Sequence, residues 1–232
     1  MAEKVKSAGK GKKIIAGTLI TVAIASAAGW WTIRSGNKSF SVHTYQVERV
    51  IDGDTFVTKE KRNVRLASVS APESEDCGGK ESKKELEKLI FGKPLYLKVL
   101  YNDIYGRLVS LVYTTDGLVN EKMLQGGYAY YNGTAGEPEG ISKEAESAKT
   151  NHIGIFGPGC TQLINPDNPK CVIKGNKRLR GGGTAQYRFP GCRQYSKTII
   201  QLYLGDQWFC TETAAKKAGF TKGADCLDKS WP

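Results

Sequence analysis

Val47-Glu48-Arg49-Val50-Ile51-Asp52-Gly53-Asp54-Thr55-Phe56, continued by Val64-Arg65-Leu66 and Ser70-Ala71-Pro72-Glu73, is the stretch on which the fold turns. Tyr45, Val47, Val50 and Ile51 read as a strand that ends in an Asp-Gly turn. Thr55 to Thr58 resumes as a second strand, and Asn63 to Ala67 reads as a third. A meander of this kind brings Asp52, Asp54, Arg65 and Glu73 to one end of a small sheet. Two carboxylates suit a hard cation such as calcium. An arginine fork neutralises a phosphate, and a glutamate can take a proton from water. Each piece also has a plainer reading: the Asp-Gly step as a hairpin turn, Arg65 as a surface strand residue, Glu73 as an acid opening a helix. It is the combination that points to phosphodiester chemistry.

Outward from this stretch the charge is uneven. The chain of 232 residues carries a net +11. Residues 1–13 contribute +4 and residues 171–232 contribute +7, while residues 14–170 sum to zero. Bulk charge therefore does not recommend the middle of the chain as a nucleic-acid binder; the site must do so. Residues 14–33 are uncharged between Lys13 and Arg34 and are long enough to cross a lipid bilayer as one helix. Preceding lysines place a cytoplasmic basic tail, 1–13, on the inner side, with Trp30 and Trp31 at the far interface. A cleaved signal peptide is the alternative, with Ala25-Ser26-Ala27 as its cleavage site. An uncleaved single-pass anchor is preferred, and either reading puts the remainder outside the cytoplasm, at the cell membrane or secreted. A polar linker, 34–43, follows.

After Glu73 a loop precedes a helix over Glu81 to Phe91, with Leu86, Leu89 and Ile90 on one face. Leu95 to Tyr101 and Arg107 to Thr114 read as the fourth and fifth strands, joined by the turn Asn102 to Gly106. Leu118 to Gln125 and Ile141 to Thr150 read as two further helices, with Tyr128, Tyr130 and Tyr131 clustered between them. Residues 159–170 are rich in Asn, Asp and Pro and are expected to be a linker. Residues 171–232 form a small basic module, expected to combine strands over 186–189, 198–203 and 208–210 with a helix over Thr213 to Ala218. A unit of this size needs covalent or metal staples.

Asp52-Gly53-Asp54-Thr55, Arg65-Leu66, Ala71-Pro72-Glu73, Tyr105-Gly106-Arg107 and Leu118-Val119-Asn120-Glu121 stand in the order and near the spacings of the staphylococcal nuclease family. The chain resembles that family over residues 44–158. The resemblance implies an α+β domain, a five-stranded OB-fold β-barrel with three helices. It further implies that Asp54 ligates calcium, with Asp52 and the Ala71 carbonyl nearby. Arg65 would hold the scissile phosphate, Arg107 would sit on the leaving-group side, and Glu73 would activate water. Tyr105, Tyr128, Tyr130 and Tyr131 are candidates for contact with sugar or bases, core packing being the alternative.

Two positions depart from the family pattern. Ser70 stands where the family has a metal-binding aspartate, so it is at best a weak ligand and calcium should bind less tightly. Glu75 or Asp76 could stand in by loop movement. Ile104 replaces a frequent lysine. The function implied is a calcium-assisted nuclease cutting DNA or RNA with little sequence preference. The alternative is a non-catalytic binder of nucleic acid or an anionic wall polymer. No protein partner is indicated.

Six cysteines in an exported chain favour disulfides. Cys77 and Cys160 fall in or beside the nuclease-like region, one before its first helix and one after its last, and are expected to pair. Cys171, Cys192, Cys210 and Cys226 would then pair among themselves, with Cys171–Cys226 and Cys192–Cys210 preferred among three arrangements. A four-cysteine zinc site is not expected, since the spacings of 21, 18 and 16 include no Cys-x-x-Cys pair.

Overall fold

Thr55 lies opposite Arg65 and Phe56 opposite Val64, so the expected meander is the nucleus of the observed sheet. A computed structural model describes residues 43–177 and 184–231. The expected anchor or signal segment at 14–33 lies outside the described residues, as do the basic tail and the linker up to residue 42. Among the described residues no helix is long and apolar enough to cross a membrane.

Strands β1 (Val47–Val50), β2 (Thr55–Thr58) and β3 (Asn63–Leu66) run antiparallel. The short β4 (Val69–Ser70) leads through a loop to helix α1 (Gly79–Ile90), which starts two residues before the expected Glu81. β5 (Tyr96–Asn102) and β6 (Leu108–Thr114) form an antiparallel pair, and β6 runs parallel to β3. The sheet order β1-β2-β3-β6-β5 closes on itself, because Tyr45 and Leu95 exchange backbone hydrogen bonds of 2.8 and 2.9 Å. This is a closed five-stranded Greek-key barrel, a solution that leaves no long exposed edge. The two-residue β7 (Gly117–Leu118) pairs with β6 and leads into α2 (Val119–Gln125); β8 (Tyr130–Tyr131) and α3 (Ile141–Thr150) follow.

Val47, Val50, Phe56, Val64 and Leu66 face Leu86 and Ile90 of α1 and Met123 and Leu124 of α2, the β1 register shifting after Val47 so that Val50 joins it in the core. Asn120, fully buried, fastens α2 to the barrel. Its amide nitrogen donates to Ala67 O (2.8 Å) and Ser110 O (3.1 Å), and its oxygen accepts from Val112 N (2.9 Å).

Residues 159–170, expected as a linker, contribute β9 (Thr161–Gln162). It pairs with β12 (Ile200–Gln201), which lies beyond β10 (Ile173–Asn176) and β11 (Gln186–Arg188). β13 (Gln207–Phe209), helix α4 (Glu212–Lys217) and β14 (Thr221–Lys222) complete the C-terminal module. Its four-stranded sheet has the order β13-β10-β11-β14. The strand expected over 198–203 is cut to two residues, since Leu202–Leu204 coils into a 3-10 turn closed by Gly205 at φ 76°. The described residues all belong to one compact unit. Tyr203 of the module packs with Phe156 and Ala148 of the barrel's final helical region.

Three disulfides hold the chain: Cys77–Cys160, Cys171–Cys210 and Cys192–Cys226. The last two correct the preferred Cys171–Cys226 and Cys192–Cys210 arrangement. The reason is register: Ile173 of β10 lies opposite Phe209 of β13, which brings the residues just outside them, Cys171 and Cys210, side by side.

Candidate active site

The turn between β1 and β2 is built by Asp52, whose Oδ1 accepts from Asp54 N at 2.9 Å. Gly53 is required there by close approach: a Cβ would lie 1.9 Å from Ser82 Oγ of α1 and 2.6 Å from the Ala71 Cβ. The turn thus delivers Asp54 to the point where β2 and β3 meet. Because Thr55 faces Arg65 across the ladder, the guanidinium of Arg65 falls beside the Asp54 carboxylate, with Nη1 2.5 Å from Oδ1. Its Nη2 reaches Ser70 Oγ at 3.2 Å. Asp54 Oδ1 also accepts from Thr55 Oγ1 (2.7 Å), and Oδ2 accepts from Ala71 N (2.9 Å).

Asp54 is 4% exposed. Burial pushes its carboxyl up to about 6; Arg65 pulls it down, and the neighbouring Asp52 charge pushes it up again.

Arg107 enters at the start of β6 and is held by Asp103. Its Nε donates to Asp103 Oδ2 (2.7 Å), while its backbone N–H and that of Tyr105 donate to Oδ1 (3.0 and 2.9 Å). Partial desolvation opposes it, but these donors hold the Asp103 carboxyl below the usual range. The Tyr105 ring, 75% exposed, lies 5.3 Å from the Arg107 guanidinium carbon.

These groups converge. Asp52, Asp54, Arg65, Glu73 and Arg107 line one polar cleft of about 520 Å³, together with Ser70, Ala71 and Tyr130. An adjoining cavity of about 290 Å³ shares Arg65 and Arg107 and adds Tyr101 and Tyr105. Tyr130 reaches the cleft because β8 pairs with β4, setting Tyr130 opposite Ser70. Tyr131 sits outside the cleft, its hydroxyl donating to Glu137. Tyr128 is turned the other way, against the barrel core and the cavity beside Cys77 and Cys160. Glu75 and Asp76 are not among the cleft residues, so the loop as folded brings no substitute carboxylate to Ser70. Ile104 projects into solvent, 92% exposed.

Asn132 escaped the sequence reading: it lines both cavities, and its Nδ2 donates to Ser70 Oγ at 3.3 Å. No sequence signal marks it. Asp103 also went unassigned, although an Asp at the head of a Tyr-Gly turn is a side chain suited to capping backbone N–H groups.

Among the described residues no group of three or more His, Cys, Asp or Glu is arranged to hold a metal. The donor set still fits a hard cation in kind. Asp52 and Asp54 offer carboxylate oxygens beside the Ser70 hydroxyl. It is sparse in number.

Residues 63–157 match the sequence profile of the family described as Staphylococcal nuclease homologue. A staphylococcal-like nuclease of Arabidopsis thaliana is 31% identical over 126 residues, which are 54% of this chain and 36% of that protein. An uncharacterized endonuclease of Haemophilus influenzae is 32% identical over 119 residues, 49% of this chain and 66% of its own. An uncharacterized 38.1 kDa protein of Capnoides sempervirens is 32% identical over 123 residues, 52% of this chain and 35% of its own. The chain spans about a third of the length of the plant relatives it matches. With Arg65, Glu73 and Arg107 gathered at one cleft, the part of the chain over residues 63–157 belongs to the staphylococcal nuclease-like family.

Proposed function

We propose that the chain is a calcium-assisted nuclease that hydrolyses phosphodiester bonds of DNA or RNA with little sequence preference. The observation that carries this reading is the shared cleft: two arginines, an exposed glutamate and a buried aspartate face the same polar space. Relatives named as nucleases support it. Asp54 and Asp52, with the Ala71 carbonyl, would hold calcium, which when bound supplies positive charge against the phosphate. Arg65, fixed by Asp54, donates to the phosphate oxygens as their charge grows in the transition state. Arg107, fixed by Asp103, does the same from the leaving-group side. Glu73 accepts the proton from water as the water oxygen bonds to phosphorus and the P–O bond to the leaving oxygen breaks.

No base-reading donor set is required of this cleft, and low specificity follows from contacts made to backbone rather than to base edges. The disulfides favour an oxidising compartment. Residues 14–33 would carry the protein there, as an anchor in the cell membrane or as a leader removed near Ala27.

One observation favours a binder that does not cut. The Ser70 hydroxyl is engaged by Arg65 and Asn132, at 3.2 and 3.3 Å, leaving calcium a reduced donor set. Digestion of single-stranded DNA in calcium and then in chelator separates the two readings. The nuclease cuts in calcium and stops in chelator, and Glu73→Gln lowers kcat by about 100-fold or more without unfolding, Glu73 being exposed. DNA that is retained yet never cut in millimolar calcium would establish the binder.

A further inference from the structure

A second groove begins where the cleft ends. It has a volume of about 750 Å³ and runs between α3, β8 and the 3-10 turn Leu202–Leu204 of the C-terminal module. Tyr130 lines both cleft and groove, so the two adjoin at that residue. The floor is aromatic. The buried Tyr203 meets Phe156 edge-on at 5.6 Å and lies 5.9 Å from the Tyr130 ring. Lys143 and Lys149 stand exposed on the α3 wall, with Glu146 between them, and Gln201 and Leu204 form the opposite wall. Two cations against one carboxylate leave the rim net positive, while the module as a whole has less free charge than its composition implies. Lys174 is buried, its Nζ donating to Thr198 O at 2.7 Å over the Tyr195 ring. Arg188 and Lys222 are paired with Asp225 and Glu212.

We infer that this groove is an extension subsite for a single polynucleotide strand, holding the nucleotides beyond those in the cleft. The inference rests on the nuclease reading for its substrate class. Phosphates fit beside Lys143 and Lys149 and a base face lies against Tyr130 or Tyr131, the combination of cationic wall and aromatic platform that single strands favour. The C-terminal module thereby forms part of the substrate track: without Gln201, Tyr203 and Leu204 the groove has one wall.

The test is fluorescence anisotropy of labelled oligothymidylates of four and twelve nucleotides, in chelator so that nothing is cut, at 50 and 200 mM salt. The variants are Lys143→Ala with Lys149→Ala, both exposed, and separately Leu204→Glu from the module side. The wild type should hold the 12-mer at least tenfold more tightly than the 4-mer. Each variant should erase most of that gap and leave the 4-mer unchanged. Two phosphate contacts on a single strand give a salt slope of about 1.4, so the double variant should lose about sevenfold less affinity than wild type between those salt concentrations. A 12-mer held equally well by wild type and both variants, or no better than the 4-mer by wild type, overturns the inference. Cleavage of either oligonucleotide in calcium reads the nuclease assignment separately: its absence from both rejects that assignment, while the binding comparison still decides the groove.

Discussion

Asp54 shows how one buried carboxylate answers to several neighbours at once. Burial raises it to about 6 from an ordinary 3.8, so between those values the folded chain binds a proton that the unfolded chain has released. This group's contribution to stability therefore falls as pH rises through that window and stays low above it. A cation needing the charged form offsets the loss. In chelator the contribution of this group to the thermal midpoint should be smaller at pH 6.5 than at pH 4, and millimolar calcium should raise the midpoint at pH 7 but not at pH 4.5; scanning fluorimetry reads both. Ser70→Asp adds a carboxylate among the same donors, Arg65 and Asn132, and should lower the calcium concentration for half-maximal cutting by about tenfold, scored by titrating calcium in a DNA digestion assay. Gly53 is tight for a different reason, its Cα lying against Ser82 and Ala71. Gly53→Ala should cost about 1–3 kcal/mol in urea unfolding as the helix shifts away. Ser82→Gly in the same chain should recover part of it.

At the level of elements, what was legible in the sequence depended on how local its cause was. β1, β2 and β3 could be read from their β-branched and aromatic runs between turn signals, with Val64 and Leu66 alternating toward the core, and α1 because Leu86 and Ile90 repeat at helical spacing. The gathering of Arg65 with Asp54 followed from a short hairpin register, whereas Arg107 reaches them only through the parallel pairing of β6 with β3. That pairing was carried by resemblance, not by pattern. β10 was invisible: Lys174 and Gly175 interrupt its apolar run. Gly175 is there because a Cβ would lie 2.6 Å from the Phe209 ring and 2.9 Å from that of Phe220. The disulfide pairing in the module depended on that unseen strand.

Within the same module Glu212 opens α4 and gathers the Tyr187 hydroxyl (2.5 Å), Trp231 N (2.7 Å) and Lys222 Nζ (2.9 Å). Against the cost of desolvation, these partners hold its carboxyl down to about 2. Its contribution is thus complete above the ordinary carboxylate range near 4.5 and is lost as pH falls toward 2. Glu212→Gln should flatten the acid end of the stability curve and cost roughly 2 kcal/mol at pH 7 in chemical unfolding, with digestion of short oligonucleotides unaltered.

Across the whole molecule the Cys77–Cys160 bond is the longest-range tie, joining residues 83 apart in sequence. Chain-entropy reasoning puts a ring of that size at about 4.5 kcal/mol. Cys77→Ser with Cys160→Ser should lower the thermal midpoint by several degrees and, more tellingly, raise KM for DNA, because Cys77 lies in the loop that carries Glu73 at its other end; parallel melts and digestions of this variant and the wild type, both without reductant, test both. If the chain is an exported nuclease, as proposed, the same bond gives the producing cell a safeguard. Made behind a reducing boundary, the chain would keep both thiols open and its water-activating loop slack while its own chromosome is within reach. The clasp would close only once the polypeptide had left, so that chemistry able to destroy a genome matures where that genome is absent.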